Sequence, residues 1–287
     1  MNKQPKIATP GALVAIGGAE DKTSEAVILR RVMSHAPPDC KTVGVITTAS
    51  SVPDEVFSGY DSVFKRLGAT EIHDIRIRDR ADAEAAEHVE TVGRCGAIFI
   101  SGGDQMRLTS ILGGSKVLEA IRRRREQGAV VAGTSAGAAC MSSTMIYGGQ
   151  ANDSLRKGAV RMSAGLSFAE GVIIDSHFLE RGRFSRLMVV GATNPEYIGV
   201  GIGEDAAIRF VNSHTIEAFG PGHVVIVDSS QITGCNVFDL NDGEAVSVQN
   251  VIMHALVDGY GYSIAERRVL APGEIWPNGS EKHVENT

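Results

Sequence analysis

Short apolar runs alternate with amphipathic stretches over the first two-thirds of the chain. In the first cycle, the apolar run 12–16 ends at Gly17-Gly18, and apolar residues then recur with helical spacing from 20 to 35. Later cycles place predicted strands at 42–47, 71–77, 97–100 and 129–132, predicted helices at 53–67 and 80–92, and two further helical stretches before the last strand. This alternation is typical of a parallel sheet covered by helices on both faces. It predicts an α/β fold, a three-layer α/β/α sandwich with a largely parallel central sheet.

Beyond about residue 200 the pattern becomes strand-rich. The predicted strands are 197–202, 206–211, 215–219, 224–227 and 245–251. We interpret them as an antiparallel C-terminal extension of the same sheet. No linker, repeat or low-complexity tract interrupts the chain, so we predict a single catalytic domain over residues 1–287.

Composition and charge narrow the class of protein. Hydrophobic residues make up 43% of the 287 positions and the net charge is -6. The single arginine run, 122–125, lies between acids on a predicted helix, which argues against nucleic acid as a partner. No apolar run approaches the length of a membrane span, and residues 1–10 lack the apolar core of a secretion signal. We expect a cytoplasmic protein with no membrane partner.

The cysteines and histidines form no metal-binding pattern. The four cysteines stand far apart without a C-x-x-C pair, and no H-E-x-x-H motif occurs. They indicate single small residues in a reducing compartment, not a disulfide framework or a zinc site. We therefore expect neither a metal nor another cofactor.

The segment 133–137, Gly-Thr-Ser-Ala-Gly, carries the most specific chemistry. It follows an apolar run and opens a stretch of small residues, which is the setting of a G-x-S-x-G nucleophile elbow. Bulky neighbours would clash in so tight a turn. Ser135 is therefore the candidate nucleophile, although a glycine-rich turn with an incidental serine has the same pattern.

A hydrolytic serine needs a base, and the base needs an orienting acid. In parallel sheets the site lies beyond the carboxyl ends of the strands, so the loops 17–20, 48–51, 101–105 and 133–137 should gather at one rim. His177 follows the apolar run 171–175, and Glu204 follows the next one. Each residue alone fits a structural role, but together they predict a Ser135–His177–Glu204 triad.

Five motifs in order extend this hypothesis, at 16–21, 102–105, 133–138, 175–187 and 201–207. With them the chain resembles the cyanophycinases, serine hydrolases related to peptidase E with a class I glutamine amidotransferase-like fold. The resemblance implies Ser135 as nucleophile, His177 as base and Glu204 as acid. It further implies an exopeptidase that cuts cyanophycin polymer or β-aspartyl peptides through an acyl-enzyme and releases β-aspartyl-arginine. We also expect a homodimer.

The chemistry of this substrate suggests further site residues. Backbone N–H groups of Gly103 and Ala136 are the candidate oxyanion hole. Forked guanidinium groups suit carboxylates, and carboxylates suit the substrate's arginine. The candidate substrate-binding residues are Asp104, Gln105, Asp175, Ser176, Arg181, Arg183 and Arg186. A solvated basic face, and a helix N-cap for Asp175, remain the structural alternatives.

One position departs from the family pattern, and it keeps other functions open. Cyanophycinases typically carry Gln immediately before the catalytic His, whereas this chain has Ser176. The alternatives are an α-aspartyl dipeptidase like peptidase E and a non-catalytic binding protein of the same fold. A nucleotide-binding Rossmann protein is rejected, because the turn 17–21 lacks G-x-G-x-x-G and places two acids where phosphate would lie.

Overall fold

The computed structural model describes residues 9–150 and 154–275. The expectation that the N-terminus lacks a secretion signal falls mostly outside these ranges. The outer limits of the domain predicted over 1–287 also lie outside them. None of the described helices is long and apolar enough to cross a membrane. All four cysteines are free thiols, with Cys95 and Cys140 buried and the other two half-buried.

Strands and short helices alternate in the first half, and strands dominate the second. The strands are β1 (Leu13–Ile16), β2 (Thr42–Ile46), β3 (Glu71–Ile75), β4 (Ala97–Ile100), β5 (Val130–Thr134), β6 (Thr144–Gly148), β7 (Arg161–Ala164), β8 (Val172–Asp175), β9 (Ile198–Ile202), β10 (Ala207–Asn212), β11 (Thr215–Phe219), β12 (Val224–Asp228), β13 (Gly234–Cys235), β14 (Val248–Gln249), β15 (Ile252–Leu256), β16 (Gly261–Ser263) and β17 (Arg268–Leu270). The helices are α1 (Val27–Ser34), α2 (Pro53–Arg66), α3 (Ala86–Arg94), α4 (Gln105–Leu112), α5 (Lys116–Glu126), α6 (Ala136–Ala139), α7 (Phe184–Thr193) and α8 (Pro272–Ile275). Short 3₁₀ helices cover Asp82–Glu84 and Val237–Asp239.

Within the described ranges, nine strands form the main sheet in the order β17-β16-β11-β10-β1-β5-β4-β2-β3. The five strands from β1 to β3 in this order pair in parallel, and the four on the other side of β1 pair antiparallel. The predicted α/β architecture, a parallel sheet with antiparallel strands added, is therefore confirmed.

Side chains of the parallel strands alternate between two buried layers. Val14 and Ile16 of β1 pack with α1 and α2, whereas Leu13 and Ala15 join a cluster that includes α4 and α5. A strand has a two-residue period, so a strand covered on both faces is apolar at every position. These uninterrupted apolar runs made the parallel half recognisable in the sequence.

A second sheet, which the sequence analysis merged with the first, carries part of the rim. Four of the described strands form it in the order β15-β12-β9-β8. Val172 and Ile174 of β8 join the cluster shared with the main sheet, whereas Ile173 packs toward α7. Only β10, β11, β16 and β17 extend the main sheet, so the single antiparallel extension is corrected to two sheets that share a core.

Several element boundaries also differ from the prediction. The helix expected over 80–92 is divided into the short 3₁₀ helix Asp82–Glu84 and α3, which begins at Ala86. The helix expected from residue 20 begins at Val27, because the Asp21 carboxylate accepts hydrogen bonds from the Thr23, Ser24 and Ala26 backbone N–H groups. These donors, with the Ser24 hydroxyl first, hold the pKa of Asp21 well below its usual value. The strand expected at 245–251 contains only β14, and β15 begins after it.

Candidate active site

Ser135 lies in a strained turn between β5 and α6. Its φ is +53°, a left-handed value that is uncommon for a residue with a side chain. The turn is tight because α6 passes close to β4: a Cβ on Gly137 would lie 2.3 Å from the carbonyl oxygen of Ile100. Only glycine fits at 137, and the turn joins strand β5 to helix α6 as the sequence predicts.

His177 and Glu204 follow β8 and β9 of the second sheet and meet Ser135 at the junction of the two sheets. His177 Nε2 is 3.0 Å from Ser135 Oγ, and His177 Nδ1 is 2.7 Å from Glu204 Oε1. The imidazole is mostly buried, at 13% exposure, while the Glu204 side chain is 39% exposed. The structure thus brings the three predicted triad residues into one hydrogen-bonded chain.

The end of β1 ties the three site loops together through its backbone. Ser135 N donates to Ile16 O at 2.9 Å, and His177 N donates to Gly17 O at 2.8 Å. The loop after Glu204 is held in the same way, because Asp205 N donates to Gly18 O at 3.0 Å. The loops of both sheets are therefore fixed to one short segment.

The predicted oxyanion donors flank the nucleophile. Ala136 begins α6, and a Cβ on Gly102, the neighbour of Gly103, would lie 3.0 Å from Ser135 Cβ. In the described part of the chain, neither the Ala136 nor the Gly103 N–H donates to a backbone oxygen. An oxyanion hole formed by these two N–H groups stays a prediction.

Asp175 and Arg186 have an arrangement different from the predicted one. Both are buried, and Arg186 donates to both oxygens of the Asp175 carboxylate and, at 2.9 Å, to Gly149 O. Arg183 Nη1 donates to Asp175 Oδ1 at 3.1 Å and to Ser176 O at 2.6 Å. Asp175 is thus saturated by arginines of its own chain, because a buried carboxylate needs such partners.

Arg183 is less buried than Arg186. Its side chain is 16% exposed, and burial lowers the pKa of its guanidinium despite the opposing effect of Asp175. Only Nη1 of its guanidinium is used in these bonds, so the group has donors left for a ligand. Through Ser176 O, Arg183 also holds the backbone directly before His177.

The other predicted substrate-binding residues have diverse positions. Asp104 caps α4, accepting from the Met106 and Arg107 N–H groups at 2.8 and 3.0 Å. Gln105 Nε2 donates to Ile146 O at 3.3 Å. Ser176 is buried directly before His177, and Arg181 is exposed after it. No group of three or more metal-ligating side chains occurs in the described residues.

A cleft beside Ser135 contains residues that the sequence analysis did not assign to the site. It measures about 380 Å³ and lies between the loop after β1 and α2. Glu20 and Lys22 come from the loop, Tyr60 comes from α2, and Thr134 precedes the nucleophile. The sequence places the loop 17–20 at the predicted rim, but nothing in its pattern assigns Glu20 or Lys22 a role there.

Known proteins match this chain over most of its length. The model of peptidase family S51 matches residues 13–218. The chain is 35% identical over 260 residues to the cyanophycinase of Synechococcus elongatus, covering 90% of this chain and 81% of that protein. It is 36% identical over 261 residues to the cyanophycinase of Geminocystis herdmanii, covering 91% and 96%. A solved peptidase structure from an acI-B1 actinobacterium has a TM-score of 0.64 at 20% identity, over 88% and 97%.

The family model and the relatives define the class of the protein, a serine peptidase. The chain belongs to peptidase family S51. The resemblance to cyanophycinases found in its motifs is confirmed by relatives of that name. The solved structure supports the fold.

Proposed function

We propose that this chain is a serine exopeptidase that hydrolyses cyanophycin to β-aspartyl-arginine. The observation that carries the proposal is the hydrogen-bonded chain from Ser135 Oγ to His177 Nε2 and from His177 Nδ1 to Glu204 Oε1. The relatives named cyanophycinase support the choice of substrate. Cytoplasmic location and homodimeric assembly stay predictions.

In the first half-reaction, Ser135 Oγ attacks the carbonyl carbon of a backbone amide while its proton passes to His177 Nε2. Glu204 accepts a hydrogen bond from Nδ1–H and stabilises the imidazolium that forms. The Ala136 and Gly103 N–H groups donate to the tetrahedral oxyanion. When the C–N bond breaks, the leaving amine takes the proton from Nε2, and an ester on Ser135 remains.

In the second half-reaction, His177 removes a proton from water, and the resulting hydroxide attacks the ester. Collapse of this intermediate returns the proton to Ser135 Oγ and releases the acid. In this scheme Arg183, Arg181, Asp104, Gln105 and Ser176 surround the charged substrate. Asp175 and Arg186 have a structural role in the segment before His177, since both are buried.

Incubation with purified cyanophycin, followed by mass analysis of the soluble products, tests the proposal. We expect β-aspartyl-arginine from the wild type and none from Ser135→Ala. Free aspartate from α-aspartyl dipeptides, with no product from cyanophycin, would favour the peptidase E-like alternative. Failure of a fluorophosphonate probe to label Ser135 would favour the non-catalytic binding protein.

A further inference from the structure

The cleft beside Ser135 has the size and position of a substrate subsite. Its volume of about 380 Å³ lies within the range of small-ligand pockets, and Ser135 forms part of its wall. None of the predicted substrate-binding residues lines it. Its charged lining residues are instead Glu20, Lys22 and Glu55.

Glu20 is a buried anchor that links the cleft to the nucleophile. Only 3% of the residue is exposed, and its Oε2 accepts from Thr134 Oγ1 at 2.7 Å. Its Oε1 accepts from the Tyr60 hydroxyl and is 3.1 Å from Lys22 Nζ. Thr134 directly precedes Ser135, so a chain of contacts runs from the Lys22 ammonium through Glu20 to the residue before the proposed nucleophile.

The phenol of Tyr60 keeps this anchor stable over the ordinary pH range. Burial, together with the adjacent Glu20 carboxylate, raises the pKa of Tyr60 well above its usual value. The hydroxyl therefore remains protonated and continues to donate to Glu20. With two hydroxyl donors, Glu20 does not depend on Lys22 alone for its hydrogen bonds.

Lys22 has capacity left for a ligand. Its side chain is 31% exposed, and Nζ donates to the backbone oxygen of Glu20 at 3.3 Å as well as pairing with its carboxylate. An ammonium has three N–H donors, and these contacts use two. Lys22 is also the only cation that lines the cleft among the described residues.

We propose that this cleft binds the substrate unit next to the scissile bond, and that Lys22 binds a carboxylate of that unit. The inference rests on the proposed function. Lys22 and the exposed Glu55 place opposite charges in one cleft, which matches a unit with both a carboxylate and a guanidinium. Lys22 is thus a specificity-determining residue.

Two carboxylates of the substrate have the required chemistry. One is the free α-carboxylate at the end of the aspartate backbone. The other belongs to each side-chain arginine, which is joined through its amine and so keeps its own carboxylate. Binding of the first would select chain ends, and binding of the second would select arginine-bearing units along the polymer.

Three short substrates distinguish these sources: a β-aspartyl-arginine oligomer, its C-terminal amide, and an oligomer with agmatine in place of arginine. We expect Lys22→Met to lower kcat/KM for the parent oligomer about 10- to 100-fold, the range for a lost charge-assisted hydrogen bond. Lys22→Arg should restore most of it. On the analogue that lacks the bound carboxylate, the kcat/KM of the wild type should be as low as that of Lys22→Met on the parent oligomer. Lys22→Met should not lower kcat/KM on this analogue any further.

Lys65→Met on α2 is the control, because Lys65 is an exposed lysine outside the cleft, and it should behave as wild type. Equal losses on all three substrates would overturn the proposal in favour of a structural role through Glu20, and no loss on any would also overturn it. Fluorophosphonate labelling of Ser135 verifies folding, and Lys22→Gln, which keeps a donor for Glu20, gives the same comparison if Lys22→Met does not fold. Cleavage of none of the substrates by wild type would overturn the proposed function itself, and this inference with it.

Discussion

The two halves of the site each contain a buried carboxylate, but they balance its charge differently. On the main sheet, Glu20 accepts from the hydroxyls of Tyr60 and Thr134 and pairs with one partly exposed lysine. On the second sheet, Asp175 is held by two guanidinium groups, of which that of Arg186 is buried.

The difference predicts unequal tolerance to change. Neutral donors can be removed one at a time, and each loss costs Glu20 a single hydrogen bond. Loss of the buried Arg186 guanidinium leaves Asp175 with a single charged partner in a medium of low polarity. The half that carries His177 should therefore be more sensitive to side-chain replacement than the half that carries Ser135.

The largest effect should come from the residues that join the halves. Ser135→Ala or His177→Ala should lower kcat by roughly 10⁴–10⁶, because the serine and histidine of a triad act as a unit. Glu204→Gln should cost less. Steady-state kinetics on the released dipeptide checks this, and a Ser135→Ala enzyme with more than about a tenth of the wild-type rate would contradict the assignment.

Next in size is the loss of the buried ion pair on the second sheet. Arg186→Met should lower the free energy of unfolding by about 3 kcal/mol, because Asp175 keeps only Arg183 as a charged partner. Denaturant titration measures the change. Arg181→Met is the matched control, since Arg181 is exposed, and it should cost less than about 0.5 kcal/mol. Equal effects of the two substitutions would show that the buried pair adds nothing.

Gly18→Ala tests the contact between the halves. Gly18 has φ +111°, and an added Cβ would lie 2.3 Å from His177 Cε1. The imidazole must shift away from Ser135, and we expect kcat/KM to fall about 100-fold, the cost of a misplacement of about 1 Å. Gly93→Ala on α3, where an added Cβ meets nothing within 4 Å, should retain full activity. A fully active Gly18→Ala enzyme would show that the ring is not held there.

Tyr60→Phe removes one of the two neutral hydroxyl donors to Glu20. It should cost about 1.5 kcal/mol of unfolding free energy near pH 7, roughly half the effect of Arg186→Met. The pKa of Tyr60 is raised in the folded state from 10.0, so folding favours the protonated phenol and its contribution is lost as pH rises above that value. The difference between wild type and variant should therefore shrink above pH 10.0. A difference that grows with pH would contradict the assigned donor role.

The smallest effect should be that of Ser176→Gln, which restores the residue typical of cyanophycinases. Ser176 is buried, and its carbonyl is already held by Arg183. A longer amide replaces one hydroxyl in a site whose triad is unchanged, so kcat/KM on cyanophycin should change by less than about tenfold. A large improvement would indicate that the site had been rebuilt for another substrate.

The sequence predicted well the features that depend on local pattern. Ser135 stands out because a strained turn requires small neighbours, and because strands such as β1 and β4 before it are apolar at every position. The pairing of Asp175 with Arg186 could not be predicted from local pattern, because it depends on how α7 packs against β8. The sheet that a strand joins likewise depends on contacts between residues that are distant in sequence. The second sheet was therefore not predicted. Glu20 was underestimated since its partners Tyr60 and Thr134 come from distant parts of the chain.

The hydrogen bonds at the end of β1 have a consequence for when activity can appear. Gly17, near the beginning of the chain, accepts from His177 and donates to Ala206 in its last third. At 5–20 residues per second, residue 206 is synthesised about ten to forty seconds after residue 17. Within that interval His177 and Glu204 are made only after Ser135, so the first strand, the turn at Ser135 and α6 can assemble before the proposed base and acid exist. In the proposed mechanism a nascent chain therefore carries an inert serine until Glu204 has been made and its loop has docked on the end of β1.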